Sequence, residues 1–390
     1  MKVLLLSRYG PLGASSRVRF LQYLSYFQSQ GVEITVKPLL SDAYLKALYN
    51  DGTRWREVIR GYVTRILALL SARRFDVVII EKEIFPFMPA IAERFLRLMD
   101  VPYVVDYDDA LFHRYDRHSS KLVRWSLGRK IDAVMRYSAA VIAGNNYLAE
   151  HARKAGAQKI EIIPTVVDTD RYQPKRKAAG EPLIVGWIGT SQTSHYLKPL
   201  LPVFESIRNE MPVRFVAVGA RKEDFTDTLI EVWAWSEETE VASIQQLDIG
   251  IMPLEDSPWE RGKCGYKLIQ YMACGLPVVA SPVGVNSEIV VPWKNGLLAD
   301  SLDDWDNAFR SLLEVDASSR CEMGRVGRTQ VEECYSLKAQ APRLLAAIQA
   351  ADPGYDKSSN FVIIGAFPHS LINFRGNLLK ALVDSGLKVT

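Results

Sequence analysis

The sequence predicts an α/β protein of two doubly wound domains facing a cleft, followed by a C-terminal fragment resembling the start of a further copy. Three observations predict it. Short apolar runs alternate with helix-length segments through two successive stretches of the 390 residues, the pattern of parallel strands covered on both faces. A polar segment rich in Pro, Gly and charge at 173–182 separates the two stretches. A second polar segment, 351–360, precedes the same strand–loop–helix–glycine–strand order that opens the chain.

In the first stretch, 3–7 reads as a strand, Gly10 and Gly13 as a loop, and 15–30 as a helix that Gly31 ends. A strand at 32–36, a basic amphipathic helix over 54–74 and strands at 76–80, 103–106 and 140–143 follow, with 160–164 closing the half. The second stretch has strands at 183–188, 213–218, 229–234, 248–252 and 277–280. Its helices are expected at 196–209, 267–274, 302–315 and 319–350. The expected domains are therefore 1–170 and 171–352, with 353–390 a linker and a truncated strand-helix-strand unit. In that unit Arg375 precedes its helix as Arg17 does in the first. One crossover cannot bury its own face, so the unit reads as the opening of a second copy in a longer protein. A terminal strand docking on an existing sheet is the other reading.

Composition narrows the function. Hydrophobic residues make up 48% and charged residues 24% of the chain, ordinary for a globular protein. No run approaches the roughly 20 apolar residues of a membrane span. The run 3–6 is too short for a signal peptide, so the expected location is the cytoplasm. Cys264, Cys274, Cys321 and Cys334 lack zinc-site spacing and read as free thiols. Residues 1–170 carry 25 Lys and Arg against 18 Asp and Glu, while 171–390 carry 23 against 27. The basic half suits an anionic membrane surface, at the inner face, or a phosphate-bearing acceptor; scattered solvated charge is the alternative. Nothing beyond that mild balance points to nucleic acid. Neither glycine loop spells G-x-G-x-x-G, which disfavours a dinucleotide oxidoreductase.

The densest chemistry lies at 258–290: a cationic loop, a helix, a buried strand and a second glycine loop. Lys263 and Lys267 stand four apart at the helix start. Two ammonium groups with a helix N-terminus make a diphosphate site. Gly262 and Gly265 let backbone approach a ligand. Gly284 and the amides of Val285, Asn286 and Ser287, then Glu288, can hold sugar hydroxyls. A second cluster, Asp106, Asp108 and Asp109 with His113 nearby, ends the strand at 103–106. Three acids there would face the cleft and orient acceptor hydroxyls. A divalent metal held through oxygens and helix capping by Asp108 or Asp109 are the other readings.

The stretch MACGLPVV at 272–279, with ASPVG at 280–284, Glu288-Ile289-Val290 and Asn295-Gly296-Leu297, resembles the donor-binding segment of the family 4 glycosyltransferases. Ile163-Pro164-Thr165 and Asp168 at the interdomain crossing agree, and the resemblance spans residues 2–350. It implies the GT-B fold of two Rossmann-like domains. The nucleotide-sugar donor would sit in the second domain and a glycan or lipid-linked acceptor in the first. It implies a retaining, metal-independent hexosyltransferase of surface polysaccharide synthesis, with no cofactor beyond the nucleotide sugar as co-substrate. Lys263, Lys267 and Asp108 take the catalytic roles. Gly189, Thr190, Ser191, Thr193, Trp235, Gln270, Gly284, Val285, Asn286 and Glu288 take the donor. Gly13, Ser15, Ser16, Arg17, Asp106, Asp109 and His113 take the acceptor.

The chain departs from the family pattern at three places. Many members carry two glutamates eight apart where Gly262 and Gln270 stand here. The Arg and Lys that often follow the first strand of the second domain are Thr190 and His195, in a hydroxyl-rich loop. The first loop, 10–17, lacks the usual close glycine pair. Phosphate charge would then come from Lys263 and Lys267. Trp235 reads either as a stacking partner of the base or as core, and His195 as a phosphate contact or a satisfied polar residue. A sugar-nucleotide epimerase and a non-catalytic nucleotide-binding subunit are the competing functions.

Overall fold

The computed structural model describes residues 1–49, 54–175 and 182–354. The chain forms two compact units, Met1–Ala351 and Asp352–Thr390. In the second, the Gly354 amide donates to the Asp352 carboxylate at 2.9 Å. The strand-helix-strand expected beyond it, Arg375 included, lies outside the described residues.

The first unit holds two parallel six-stranded sheets with helices on both faces, a GT-B architecture. The first is built from β1 (Lys2–Leu6), β2 (Glu33–Val36), β3 (Val77–Glu81), β4 (Tyr103–Tyr107), β5 (Ala140–Ala143) and β6 (Ile160–Ile162), in the order β2-β1-β3-β4-β5-β6. The second uses β7 (Leu183–Ile188), β8 (Val213–Val218), β9 (Ile230–Trp233), β10 (Ile249–Met252), β11 (Val278–Ala280) and β12 (Gly296–Leu298), in the order β12-β11-β10-β7-β8-β9. The central strands β3, β4 and β5 are buried along their whole length, as near-continuous apolar runs in parallel sheets require. Strand order reverses between β1 and β3 and between β7 and β10. Ligands of such sheets bind beyond the carboxyl ends at these points. Register brings Glu81 beside Asp106 and Tyr107 beside Ala143 at that end of the first sheet.

Helices break where side chains demand it. The helix expected over 15–30 is three pieces, Ala14–Arg19, Leu21–Tyr23 and Leu24–Ser29, interrupted at Phe20. The segment expected as 196–209 opens as a 3₁₀ turn, Ser194–Leu200, that contains Pro199. Its α-helix, Leu201–Glu210, follows with a proline in its first turn, where the missing N–H is harmless. The stretch 319–350 divides into Ala317–Cys334 and Leu337–Gln349, because the Ser336 hydroxyl caps the second by accepting from the Ala339 amide at 3.1 Å. That last helix was expected with the second domain. Instead Ala341, Leu344, Leu345 and Ile348 share a core with Val3, Leu5, Phe20 and Phe27 of the first. The crossing is fixed by a bridge: Val167 N–H donates to Tyr335 at 3.0 Å and Leu337 N–H to Val167 at 2.9 Å.

Candidate functional site

The carboxyl ends of the first sheet converge on one charged cluster. Lys82, just past β3, is held with φ +67°. Its ammonium lies 2.8 Å from Asp108 Oδ1 and 3.1 Å from Asp109 Oδ2. The single Ser15 hydroxyl lies 3.0 Å from the Glu81 carboxylate and 3.1 Å from that of Asp108, which share its one proton. Burial pushes the Asp108 carboxyl up, but Lys82 and Arg19 outweigh it and hold it below the usual range. Asp108 is thus a half-buried, ionised carboxylate at the end of β4.

The second domain answers with a loop and a helix. The 3₁₀ turn Glu260–Gly262 leads to Gly265, left-handed at φ +65°, and helix Tyr266–Ala273. Any Cβ at Gly265 would strike Ile289, so the turn that aims Lys267 needs glycine. The Lys267 ammonium lies 5.5 Å from the centre of the Trp187 ring at the end of β7. Burial and the neighbouring Lys263 lower it to about 8, against the pull of Asp109 across the cleft. Neither lysine has a carboxylate within salt-bridge distance among the described residues. Two partly buried cations without a counter-ion form an anion site.

The halves meet around this point. Asn145 donates from the end of β5 to the Gly262 and Lys263 carbonyls at 3.0 and 2.9 Å. The Cys264 thiol donates to the Asp108 carbonyl at 3.2 Å. Asn146 reaches Glu288 at 3.0 Å, and Arg17 reaches Glu237 at 3.1 Å. At the Arg17–Glu237 contact lies a cavity of about 550 Å³, bounded by Pro11 and Arg17 on one side and by Arg171, Tyr172, Glu240 and Tyr266 on the other.

Several expected site residues take other places. Asp106 does not face the cleft: its position, alternate to Val104, turns it into the layer holding Arg19, with which it forms a buried bidentate pair. Burial raises its carboxyl to about 6, against the guanidinium. The three acids therefore do not converge. Ser16 is fully buried and donates to Glu81 at 2.6 Å. Gly13 lies under the Tyr9 side chain and starts the first helix. His113 has both ring nitrogens engaged, by Asp116 at 3.0 Å and Tyr147 at 2.8 Å. Gln270 is buried and donates to the Tyr172 hydroxyl at 2.9 Å. The Asn286 side chain donates to the Ser281 carbonyl at 3.1 Å, and the amides of Asn286, Ser287 and Glu288 bond within their own turn. Glu288 and Arg17 sit in the interdomain contacts just described.

The remaining donor candidates stay near the cleft. Gly189 packs on Trp187, and Gly219 closes on the Gly189 carbonyl. Thr190, Ser191 and Thr193 form a turn, in which the Thr193 N–H donates to Thr190 at 2.9 Å. His195 bonds the Gln192 carbonyl at 3.0 Å, the satisfied polar reading. Trp235 is 41% exposed, and its indole N–H donates to Glu240 at 2.9 Å. Gly284 has φ +54° and approaches the Arg261 backbone.

Sequence reasoning missed Asn145, Asn146, Tyr172 and Glu240; of Glu81, Lys82 and Glu83 it expected one to face the cleft, with surface charge as the other reading. A pair of asparagines after a buried strand was a usable signal. Nothing in the chain marks Lys82 for a positive φ or brings Glu240 to Tyr172.

Residues 25–171 match Glycosyltransferase Family 4, and residues 182–315 match Glycosyl transferases group 1. The D-inositol 3-phosphate glycosyltransferase of Segniliparus rotundus is 27% identical over 224 residues, 50% of this chain and 48% of that protein. The chain thus spans about half the length of this curated relative. Sucrose-phosphate synthase from Thermosynechococcus elongatus superposes with a TM-score of 0.65 at 15% identity, covering 89% of this chain and 98% of that one. A glycosyltransferase from Rickettsia africae gives 0.66 at 13% identity, covering 90% and 99%. Anabaena HepE, in complex with UDP, gives 0.63 at 13% identity, covering 90% and 100%.

Proposed function

The chain belongs to the family 4 glycosyltransferases, and from that premise we propose that it moves a sugar, with retention of configuration, from a nucleotide-sugar donor to a glycan or lipid-linked acceptor of surface polysaccharide synthesis. The observation that carries the reading is the pair Lys263 and Lys267 at the start of a helix, cations with no carboxylate within salt-bridge distance among the described residues, Asp109 acting on Lys267 only from across the cleft. Diphosphate supplies the missing charge, and the cations stabilise it as it departs.

Asp108 supports the retaining route. A carboxylate held low by Lys82 is a poor base. The acceptor's proton then goes to the departing diphosphate on the same face, while Asp108 and Ser15 orient the hydroxyl. No protein nucleophile is required. In this reading the nucleoside occupies the 550 Å³ cavity, whose lining includes Tyr266, the chain neighbour of Lys267. There Glu240, held by Tyr172 and Trp235, supplies the carboxylate that the Gln270 position lacks.

A thermal-shift screen of UDP-, GDP- and ADP-sugars tests the donor. Stabilisation by one nucleotide class, lost in Lys267→Ala, is expected; no shift with any of them would remove the donor reading. Transfer by Lys267→Ala falls at least about 100-fold, and a rate near wild type excludes Lys267 from the chemistry. Glu240→Gln weakens nucleoside diphosphate binding about tenfold, the scale of one lost hydrogen bond to a charged group. Unchanged affinity by calorimetry moves the nucleoside elsewhere.

A further inference from the structure

The first domain carries an apolar surface that its fold leaves uncovered. Among the described residues 18 large apolar side chains are exposed, and 13 of them lie between Trp55 and Trp125. Helix Trp55–Leu70 buries Gly61, Arg65, Ala68 and Leu69 against the sheet. Its opposite face presents Trp55, Ile59, Val63, Ile66, Leu67 and Leu70, each 50–68% exposed. A helix on a sheet needs one apolar stripe; this one has two. Helix Ile91–Leu98 adds Ile91, Phe95 and Leu98, and helix Lys121–Leu127 adds Leu122 and Trp125, the last 84% exposed.

These pieces lie on the same side of the first sheet. The buried sides of the three helices share a single core, through Leu69, Leu96 and Leu127. Tyr62 donates to the Pro86 carbonyl at 3.0 Å, which ties the first helix to the exposed Phe87. The Phe87 ring sits 5.5 Å from Tyr115 and 6.1 Å from His118, just before the third helix.

The charge on this face has one sign. Arg56, Arg60, Arg94, Arg97 and Lys121 are exposed. The only acids on the three helices are Glu57, which accepts from Ser41 at 2.8 Å, and Glu93, which is buried. Tryptophans and leucines ringed by Arg and Lys match an anionic bilayer: the rings and alkyl groups enter the headgroup boundary and the cations meet the phosphates. A second copy of the chain fits worse. A two-fold contact would set the same cations against each other with no carboxylate to answer.

We propose that the outer face of helices 55–70, 91–98 and 121–127 docks the protein on an anionic lipid bilayer. The inference goes beyond the transfer chemistry and stands whether or not the acceptor is lipid-linked.

Vesicle binding without any donor or acceptor tests it, so its failure is separable from failure of the donor reading. The full chain is sedimented with vesicles of phosphatidylglycerol and phosphatidylcholine, and with phosphatidylcholine alone. Binding at least tenfold tighter to the anionic vesicles is expected, together with quenching of tryptophan emission by brominated acyl chains. Two variants on exposed positions, Ile66→Gln with Leu70→Gln, and Arg94→Glu with Arg97→Glu, each weaken binding at least tenfold at unchanged melting temperature. Absence of wild-type binding, equal binding to both vesicles, or wild-type affinity in both variants overturns the proposal. So does a concentration-dependent dimer that both variants disrupt while vesicles bind nothing.

Discussion

Lys267 carries a charge that the surroundings make conditional on pH. Burial and Lys263 set it near 8, so the free protein loses this cation as pH rises through that value. Donor affinity falls over the same window, and diphosphate bound at pH 8.5 restores the proton. Calorimetry in two buffers of different ionisation enthalpy reads that uptake; a heat independent of buffer would contradict it. For folding the sign is opposite. The folded value lies below the ordinary lysine value of 10.5, so between about 8 and 10.5 the unfolded chain binds more protons and this group's contribution to stability rises with pH. Asp106 sits in a different economy of charge. Asp106→Asn leaves Arg19 buried and unpaired, which costs about 3–5 kcal/mol; a urea midpoint shift worth under about 1 kcal/mol would show the pair to be dispensable. The two residues differ in legibility for a physical reason. Lys263 and Lys267 were readable because helix spacing and local glycines fix where they point. Asp106 was misread because the aspartates around it lie beyond the strand, whereas its own side chain follows the strand's alternation to the Arg19 layer.

Strands were legible as elements because each central one is a buried apolar run bounded by polar residues. Expected and observed bounds of β7 and β8 coincide at 183–188 and 213–218. β12, three residues long and starting at Gly296, carries too little pattern to be seen. Helix interruptions were hidden too: Phe20 breaks a helix through tertiary packing, and no propensity marks it. The helix Leu337–Gln349 was assigned to the wrong half because amphipathicity shows that a stripe is buried, not what it is buried against. Its role gives a test. Leu344→Ala opens a cavity under the first sheet and destabilises by about 2–5 kcal/mol. Hydrogen exchange then rises in β1 and β3, which lie over that core. Faster exchange confined to β7–β12 would place the helix's contribution in the other sheet.

Across the whole molecule the two domains touch through small residues at the cleft. A Cβ on Gly262 would stand 2.5 Å from the Ala110 Cβ and 2.6 Å from its backbone nitrogen, and backbone cannot yield. Gly262→Ala therefore wedges the cleft open. Transfer efficiency falls at least about tenfold, through misplacement of the two substrates. The radius of gyration rises while each domain keeps its fold. Scattering curves identical to wild type with normal kinetics would show that closure tolerates the wedge. Sequence reading reached the two domains and the cleft between them. It could not reach the closing contacts Asn146–Glu288 and Arg17–Glu237, whose partners lie 142 and 220 residues apart.

The return of helix Leu337–Gln349 to the first sheet also sets an order of events during synthesis. A chain leaving the ribosome can complete β1 to β6 early, yet Ala341, Leu344, Leu345 and Ile348, which seal one face of that sheet, emerge after the whole second domain. The domain translated first is the one finished last. Until then its apolar floor stands open to chaperones or to misassembly, and a nascent chain stalled before residue 337 holds a second domain that can close and a first that cannot.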